Sequence, residues 1–134
     1  MIYAVCIDDR GGMAFLGKRL SRDRVQLARL RALVGEGTLL VTPYSEKLVE
    51  DFPRVRVTED LSTRAENTVF FLETADPTPL LQSGDVLAVY RFGRHYPADL
   101  RLTADLSRME AVSETAFVGS SHPEMTETLY RITP

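Results

Sequence analysis

Residues 109–132 read MEAVSETAFVGSSHPEMTETLYRI, and they contain two extended segments with a short turn between them. The segments, residues 109–118 and 125–132, are rich in threonine, valine and aromatic residues, which are typical of strands. Glycine, serine and proline in residues 119–123 favour a turn. The pattern therefore predicts an antiparallel hairpin that closes one edge of a β-sheet.

Upstream of this hairpin, short apolar segments that predict strands alternate with segments that predict helix or connection. The predicted strands are residues 1–7, 38–42, 55–57, 68–72 and 85–92. Strands separated by helical segments connect through right-handed crossovers and lie parallel. The sequence thus predicts an α/β fold with a mostly parallel central sheet, an antiparallel C-terminal hairpin and short flanking helices.

The longest predicted helix follows Ser21, whose hydroxyl is a candidate N-cap. Leu27, Leu30 and Val34 recur at helical spacing, and Gly35 stands where a left-handed residue commonly ends a helix. The remaining predicted elements are short helices over residues 45–50 and 77–82 and a loop over residues 13–20.

The bulk composition limits the classes of protein to which this chain can belong. Its 134 residues, 44% hydrophobic and 26% charged, suit one globular domain spanning residues 1–134. The net charge of −3 argues against an electrostatic nucleic-acid surface, and no apolar run reaches the roughly 20 residues of a membrane-spanning helix. One cysteine excludes an internal disulfide and favours the cytoplasm. Two histidines are too few for a zinc cluster, so no metal is expected.

Three local patterns, taken in order, resemble the dihydrofolate reductase family. Residues 8–13, DDRGGM, follow the first strand and residues 20–23, LSRD, precede the long helix; they look like the family's active-site loop and its Leu-Pro-x-Asp helix start. Residues 95–99, HYPAD, resemble its aromatic-proline stretch, and residues 110–117 with 129–131 resemble its closing hairpin. The resemblance implies a single, short dihydrofolate reductase-like domain. The opening also resembles short bacterial proteins with an Asp-Asp, Gly-Met, Arg, Ser-Arg-Asp pattern.

Two motifs through which the family holds NADPH are missing from this chain. Dihydrofolate reductases place a Gly-Gly pair after the fifth strand, where the backbone approaches the pyrophosphate; this chain has ETAD at residues 73–76. The family's Gly-Arg-x-Thr step is replaced by TPYS at residues 42–45, and the family's tryptophan is absent because the chain contains none. Side chains would block the backbone approach and two carboxylates would repel phosphates. No cofactor is therefore expected.

Asp23 matches the position of the family's acid, which anchors the pterin and lets the substrate acquire a proton. In an apolar cleft its carboxyl would have a raised pKa, which suits a catalytic acid. The alternative is that an acid at a helix start only stabilises the helix, by about 0.3–1 kcal/mol. The family's acid has a threonine partner on a neighbouring strand, and Tyr90 stands at that place here. Arg19, Arg22 and Arg24 either form a small anion site around Asp23 or are solvated surface side chains.

A candidate ligand site lies where two predicted central strands end. Open α/β sheets bind ligands beyond the carboxyl ends of their strands. Hydroxyls and a carboxylate at that edge would suit a neutral or cationic small molecule better than a phosphate. Together with Tyr90, the candidate ligand-binding residues are Thr42, Tyr44, Ser45, Glu73 and Thr74.

Three other groups with chemical potential are interpreted as structural. His122 lies beside a proline in the hairpin turn and is expected at the surface. Residues 94–96 combine a cation, an imidazole and an aromatic ring, and are expected to form a turn fixed by Pro97. Cys6 belongs to a predicted buried strand, so an inert core thiol is expected.

Three functions are compatible with these observations. The preferred interpretation is a protein of the dihydrofolate reductase fold that has lost NADPH-dependent reduction and acts as a small-molecule-binding or interaction module. The alternative is a divergent reductase of a pterin-like or nucleotide-like substrate, with NADPH in an unusual mode and Asp23 as the acid. The third is a structural domain that forms homo-oligomers through its edge hairpin. No nucleic-acid or membrane partner is expected.

Overall fold

The structure, a computed structural model, describes residues 1–133. In that range the chain forms two sheets, one α-helix and several 3-10 turns. The strands are β1 (Ile2–Ile7), β2 (Gly12–Phe15), β3 (Lys18–Arg19), β4 (Thr38–Val41), β5 (Val55–Val57), β6 (Thr68–Phe71), β7 (Val86–Arg91), β8 (Leu100–Arg101), β9 (Glu110–Phe117) and β10 (Met125–Arg131).

The main sheet has the strand order β5-β4-β6-β1-β7-β10-β9. Its first five strands are parallel, whereas β10 runs antiparallel to both β7 and β9. The predicted α/β class, the mostly parallel sheet and the antiparallel closing hairpin are therefore confirmed. The parallel arrangement brings the carboxyl ends of β1, β4 and β6 to one edge, where the candidate ligand residues lie.

The only α-helix of residues 1–133 is α1 (Arg24–Val34), and its N-cap is Asp23. The Asp23 backbone is extended and its side chain accepts hydrogen bonds from the first-turn amides, which is the usual geometry of a cap. The prediction of Ser21 as the cap is wrong by two residues. Gly35 ends the helix with φ 56°, as predicted.

Residues 13–20 are not the predicted loop. Gly12–Phe15 and Lys18–Arg19 pair antiparallel as β2 and β3, and β2 also pairs with β8 to complete a small second sheet. Leu16 and Gly17 connect β2 to β3 with φ of 52° and 74°. Two consecutive positive φ values are characteristic of the tightest hairpin connections. The hairpin is too short for its strands to show a periodic pattern in the sequence.

The two predicted short helices are 3-10 turns instead. They are part of a set comprising Pro43–Ser45, Lys47–Val49, Thr78–Leu80 and Leu106–Arg108. Proline occupies the first turn of two of them, and 3-10 geometry is used in such short pieces. The predicted serine cap fails because the Ser45 hydroxyl donates to Glu73 instead.

Alternating side chains of the main sheet form two hydrophobic cores. On one face Leu39, Val69 and Phe71 pack with Leu30 of α1. On the other face Phe70 belongs to a cluster covered by connecting segments and 3-10 turns. Of the described residues, none belongs to a helix long and apolar enough to cross a membrane.

Candidate functional site

The start of α1 is joined to the turn of the closing hairpin through the carboxylate of Asp23. Asp23 Oδ1 accepts the N–H of Val25 at 2.9 Å and of Gln26 at 3.1 Å, both within the helix. The same oxygen accepts the N–H of Ser120 at 3.0 Å. In return the Ser120 hydroxyl accepts the N–H of Arg24 at 2.8 Å. Each segment thus satisfies amide groups of the other.

The second oxygen of Asp23 completes this connection. Oδ2 accepts the N–H of Ser121 at 2.8 Å and lies 3.0 Å from Nδ1 of His122. Burial raises the pKa of Asp23, but the Ser121 amide, the His122 ring and the Ser120 amide together hold it well below its usual range. The raised pKa that the catalytic-acid interpretation of Asp23 requires is therefore not found, and the N-cap geometry agrees with the alternative, an acid that stabilises the helix start. A carboxylate with this many donors is ionised at neutral pH and carries no proton to transfer.

His122 does not lie at the surface as expected, because it is only 2% exposed. Its ring stacks on Phe92, with ring centroids 4.6 Å apart and an interplanar angle of 30°. Nε2 lies 3.0 Å from Ser21 Oγ and 3.1 Å from the Tyr96 hydroxyl. The imidazole therefore connects the Asp23 carboxylate to two hydroxyl groups.

Gly119 makes the close approach of the hairpin turn possible. A Cβ at this position would collide with the Asp23 carboxylate and would lie 2.7 Å from the Met125 sulfur. The Gly119 N–H also donates to the His122 carbonyl at 2.8 Å, which closes the turn. There is thus no room for a side chain at position 119, and only glycine fits.

A second polar cluster occupies the edge where β4 and β6 end. Arg19 donates to Glu73 through both Nε, at 2.7 Å, and Nη2, at 2.9 Å. The Ser45 hydroxyl donates to the same carboxylate at 2.7 Å. The Tyr44 hydroxyl accepts the backbone N–H of Arg19 at 2.9 Å, and the guanidinium lies 4.8 Å from the centre of the Tyr44 ring. The hydrogen bond to Glu73 raises the pKa of Arg19.

The predicted ligand residues are thus only partly brought together. Tyr44, Ser45 and Glu73 meet around Arg19, whereas Thr42 and Thr74 are half-buried at the ends of their strands. Within residues 1–133 neither threonine side chain makes a hydrogen bond.

Tyr90 makes no hydrogen bond with this cluster. It is 0% exposed in the core beneath α1, and burial raises its pKa. Its hydroxyl has no hydrogen-bond partner among the described residues, so it is not the partner of Asp23. The partners of Asp23 come instead from the hairpin turn, a contact that sequence reasoning missed.

An open cleft of about 780 Å³ lies between the start of α1 and the 3-10 turns after β4. Arg22, Arg24 and Lys47 line it and are exposed, and their side chains make no hydrogen bond or ion pair with any described residue. Tyr44 and Leu27 add an aromatic and an aliphatic surface. The exposed carboxylates of Glu50 and Asp51 also line the cleft, and Asp51 pairs with Arg31. The cleft therefore combines charges of both signs with apolar surface.

Comparison with known proteins identifies the fold. No protein-family model matches the chain, and no curated protein matches it. Among solved structures, dihydrofolate reductase from Enterococcus faecalis complexed with NADP(H) and RAB-propyl superimposes with a TM-score of 0.65. The match covers 98% of this chain and 95% of that chain at 15% sequence identity. This chain has the dihydrofolate reductase fold.

Within the dihydrofolate reductase fold, residues 73–76 follow β6, where the family resemblance expects a Gly-Gly pair. Here Glu73 is bound by Arg19, and Asp76 accepts hydrogen bonds from the hydroxyls of Thr78 and Thr103, each at 2.6 Å. Burial raises the pKa of Asp76, but these hydrogen bonds lower it overall. Both carboxylates of this segment are therefore held by internal contacts.

Cys6 lies near both polar clusters of this dihydrofolate reductase fold. Burial and the carboxylates of Glu73 and Asp23 raise the pKa of its thiol well above the ordinary value, and Arg19 opposes them only partly. A protonated thiol is a poor nucleophile. The expectation of an unreactive Cys6 agrees with this environment.

Proposed function

We propose that this protein binds a small molecule in the cleft beside α1 and does not catalyse NADPH-dependent reduction. The observation that carries the proposal is the bidentate Arg19–Glu73 pair, joined by Ser45, at the edge where β4 and β6 end. In the resembling family this edge is used for phosphates of the cofactor. Its polar groups are here engaged with one another.

The residues present do not fit a pyridine nucleotide. Glu73 is 8% exposed, so a pyrophosphate at this edge would have to displace a charge-assisted pair that is largely removed from water. The free carboxylate would then face the phosphates, and repulsion between like charges would oppose binding. Residues 73–76 also contain no glycine that would let a phosphate reach the backbone.

The cleft favours a small organic anion. The sequence-based expectation was a neutral or cationic ligand, on the ground that Glu73 would make the edge acidic. Arg19 neutralises Glu73, and in the cleft beside it the three cations of Arg22, Arg24 and Lys47 outnumber the exposed carboxylates of Glu50 and Asp51. A carboxylate with an apolar body would pair with these cations and pack on Tyr44. We place this activity in the cytoplasm, where the single thiol of the chain would stay reduced.

Thermal unfolding with added ligands tests the proposal. NADPH, NADP, FMN, dihydrofolate, a folate analogue and a panel of aromatic carboxylates are each added at millimolar concentration. A ligand of micromolar affinity stabilises the fold by about 4 kcal/mol, which raises Tm by several degrees. We expect a shift with one or more carboxylates, and Arg24→Ala should reduce it.

Arg108→Ala serves as the matched control, because this arginine is exposed and lies outside the cleft. It should leave the shift unchanged. A clear shift with NADPH would contradict the proposal and favour the alternative, a divergent reductase. The absence of a shift with every compound would favour a protein-interaction module.

A further inference from the structure

We propose that Ser21, His122 and Asp23 form a nucleophilic triad that hydrolyses carboxylic esters. Ser21 Oγ lies 3.0 Å from His122 Nε2, and His122 Nδ1 lies 3.0 Å from Asp23 Oδ2. This is the serine–imidazole–carboxylate order of acyl-transfer enzymes, which is recognised by geometry and not by position in the chain. The inference goes beyond ligand binding and does not depend on which molecule occupies the cleft.

The hydrogen bonds of Asp23 determine which nitrogen of His122 carries the proton. An ionised carboxylate can only accept, so Nδ1 must donate to Asp23 Oδ2. In the neutral ring Nε2 is then an acceptor, and it faces the hydroxyl of Ser21. The imidazole is thus oriented and held in the tautomer that can remove a proton from Ser21.

Tyr96 competes with Ser21 for the same nitrogen. Its hydroxyl lies 3.1 Å from His122 Nε2, and a neutral imidazole nitrogen has one lone pair to offer. Either hydroxyl can donate, but not both in ideal geometry. Removal of the Tyr96 hydroxyl would leave Ser21 as the sole donor.

Backbone amides beside Ser21 can stabilise an oxyanion. Among the described residues the N–H groups of Arg22 and Asp23 have no hydrogen-bond acceptor, and they precede the positive end of α1. The amide that follows a nucleophilic serine is a common member of an oxyanion hole. Ser21 is half-buried and His122 is 2% exposed, so the imidazole is shielded from water more than the serine is.

The reaction balances with water as the only co-reactant. Ser21 Oγ bonds to the ester carbonyl carbon, and its proton passes to His122 Nε2. The tetrahedral intermediate collapses, the bond to the alcohol oxygen breaks, and the alcohol leaves with the proton from His122. Water then attacks the acyl-serine and gives a proton to His122, which returns it to Ser21 as the carboxylic acid departs. Arg22 and Arg24 beside the site favour esters that carry an anionic group.

Reaction with an alkyl fluorophosphonate, followed by peptide mass spectrometry, tests the triad. We expect phosphonylation of Ser21 and no labelling of Ser107, an exposed serine with no histidine beside it. His122→Gln should slow labelling roughly 100-fold, since it removes the general base. Tyr96→Phe should accelerate labelling about twofold, because two hydroxyls no longer share one acceptor. Ser21→Ala should abolish the burst of p-nitrophenol from p-nitrophenyl acetate.

Asp23 acts through His122 and is a positioning residue, so its test uses a pH profile. The groups around His122 are Asp23, Ser21 and Tyr96, with Arg94 donating to the neighbouring Ser121 carbonyl. Labelling of the native protein should become slower as the pH is lowered. Asp23→Asn should remove that dependence, because its amide can donate to Nδ1 and force the proton onto Nε2.

Two results would overturn the inference. One is folded protein in which Ser21 is labelled no faster than Ser107. The other is a Ser21→Ala variant with an unchanged burst. If the His122→Gln variant does not fold, the Tyr96→Phe variant provides the test instead. A rate of Ser21 labelling in that variant that is equal to or below the native rate counts against the triad. Ligand shifts in Tm are independent of all these measurements.

Discussion

Asp23 shows how a charge can be kept in an interior position. The residue is 1% exposed, and burial of an unpaired carboxylate would be strongly unfavourable. Donors from the helix start and from the hairpin turn replace the lost water molecules. Removal of the carboxylate would leave amides on both segments without acceptors.

We therefore expect Asp23→Ala to lower the free energy of unfolding by about 2–4 kcal/mol, from loss of the N-cap and unsatisfied buried amides. Urea denaturation followed by circular dichroism measures this change. The matched control is Asp105→Ala, since Asp105 caps an exposed 3-10 turn through Ser107 and should cost less than about 1 kcal/mol. Equal losses for the two variants would contradict the importance of the buried connection.

At the scale of single elements, the strands were the most predictable part of this chain. Continuous apolar runs such as residues 68–72 mark a strand buried on both faces, and β6 lies there. Residues 13–20 were harder to predict, because two very short strands that pair across a tight turn have no clear sequence pattern. The start of α1 depends on its N-cap, for which the sequence favours Ser21 and which the structure shows to be Asp23, whereas the end at Gly35 agrees with the prediction.

The polar clusters were harder to predict than the strands because their members are distant in the chain. Ser121 and Asp23 are separated by 98 positions, and Arg19 and Glu73 by 54. No local periodicity reports such contacts. Tyr44, Ser45 and Glu73 were found together only because parallel strands bring their carboxyl ends to one edge. The partner of Glu73 was missed.

The hairpin turn provides a prediction at this scale. Gly119→Ala should destabilise the protein by about 1–3 kcal/mol, because the added methyl group collides with the Asp23 carboxylate. Hydrogen exchange should show faster exchange of the Ser120 and Ser121 amides. Gly17→Ala is the control, since its Cβ would meet nothing within 4 Å and only its positive φ is unfavourable. Unchanged exchange at both serines would contradict this account.

Across the whole molecule, several carboxylates share one electrostatic pattern. Burial raises the pKa of Asp8, Asp23, Asp76 and Asp85, but hydrogen bonds to amides, hydroxyls or Arg64 lower each below the ordinary value of 3.8. A lowered folded-state pKa adds stability above the unfolded value and loses it as the pH falls through the folded value. Acidification should therefore remove the stabilising contributions of all four carboxylates together.

We expect the free energy of unfolding to be near its maximum at neutral pH and to fall steeply below about pH 4. Urea denaturation at pH 7, 5 and 3 measures the profile. Asp23→Asn should be less stable at pH 7 and should lose less on acidification, since one titrating group is gone. A native protein equally stable at pH 7 and pH 3 would be inconsistent with these pKa shifts.

The outer strand β9 forms one edge of the whole sheet and is exposed along almost its entire length. Homo-oligomer formation through this edge stays a prediction. Glu110 and Glu114 place negative charge on it, and charged side chains commonly oppose edge-to-edge pairing. Any pairing of two copies would have to accommodate these carboxylates.

The order of the strands has a consequence for synthesis on the ribosome. The outer edge of β7 is covered by β10, and the carboxylate at the start of α1 is satisfied by the turn just before β10. In the nascent chain the edge of β7 stays uncovered, and Asp23 lacks its hairpin donors, until residues 120–131 have left the exit tunnel. Most strands of the parallel sheet are therefore synthesised before the segment that covers β7 and binds Asp23. Stalling before that point would leave the outer edge of β7 unpaired, and unpaired strand edges make incomplete chains prone to aggregation.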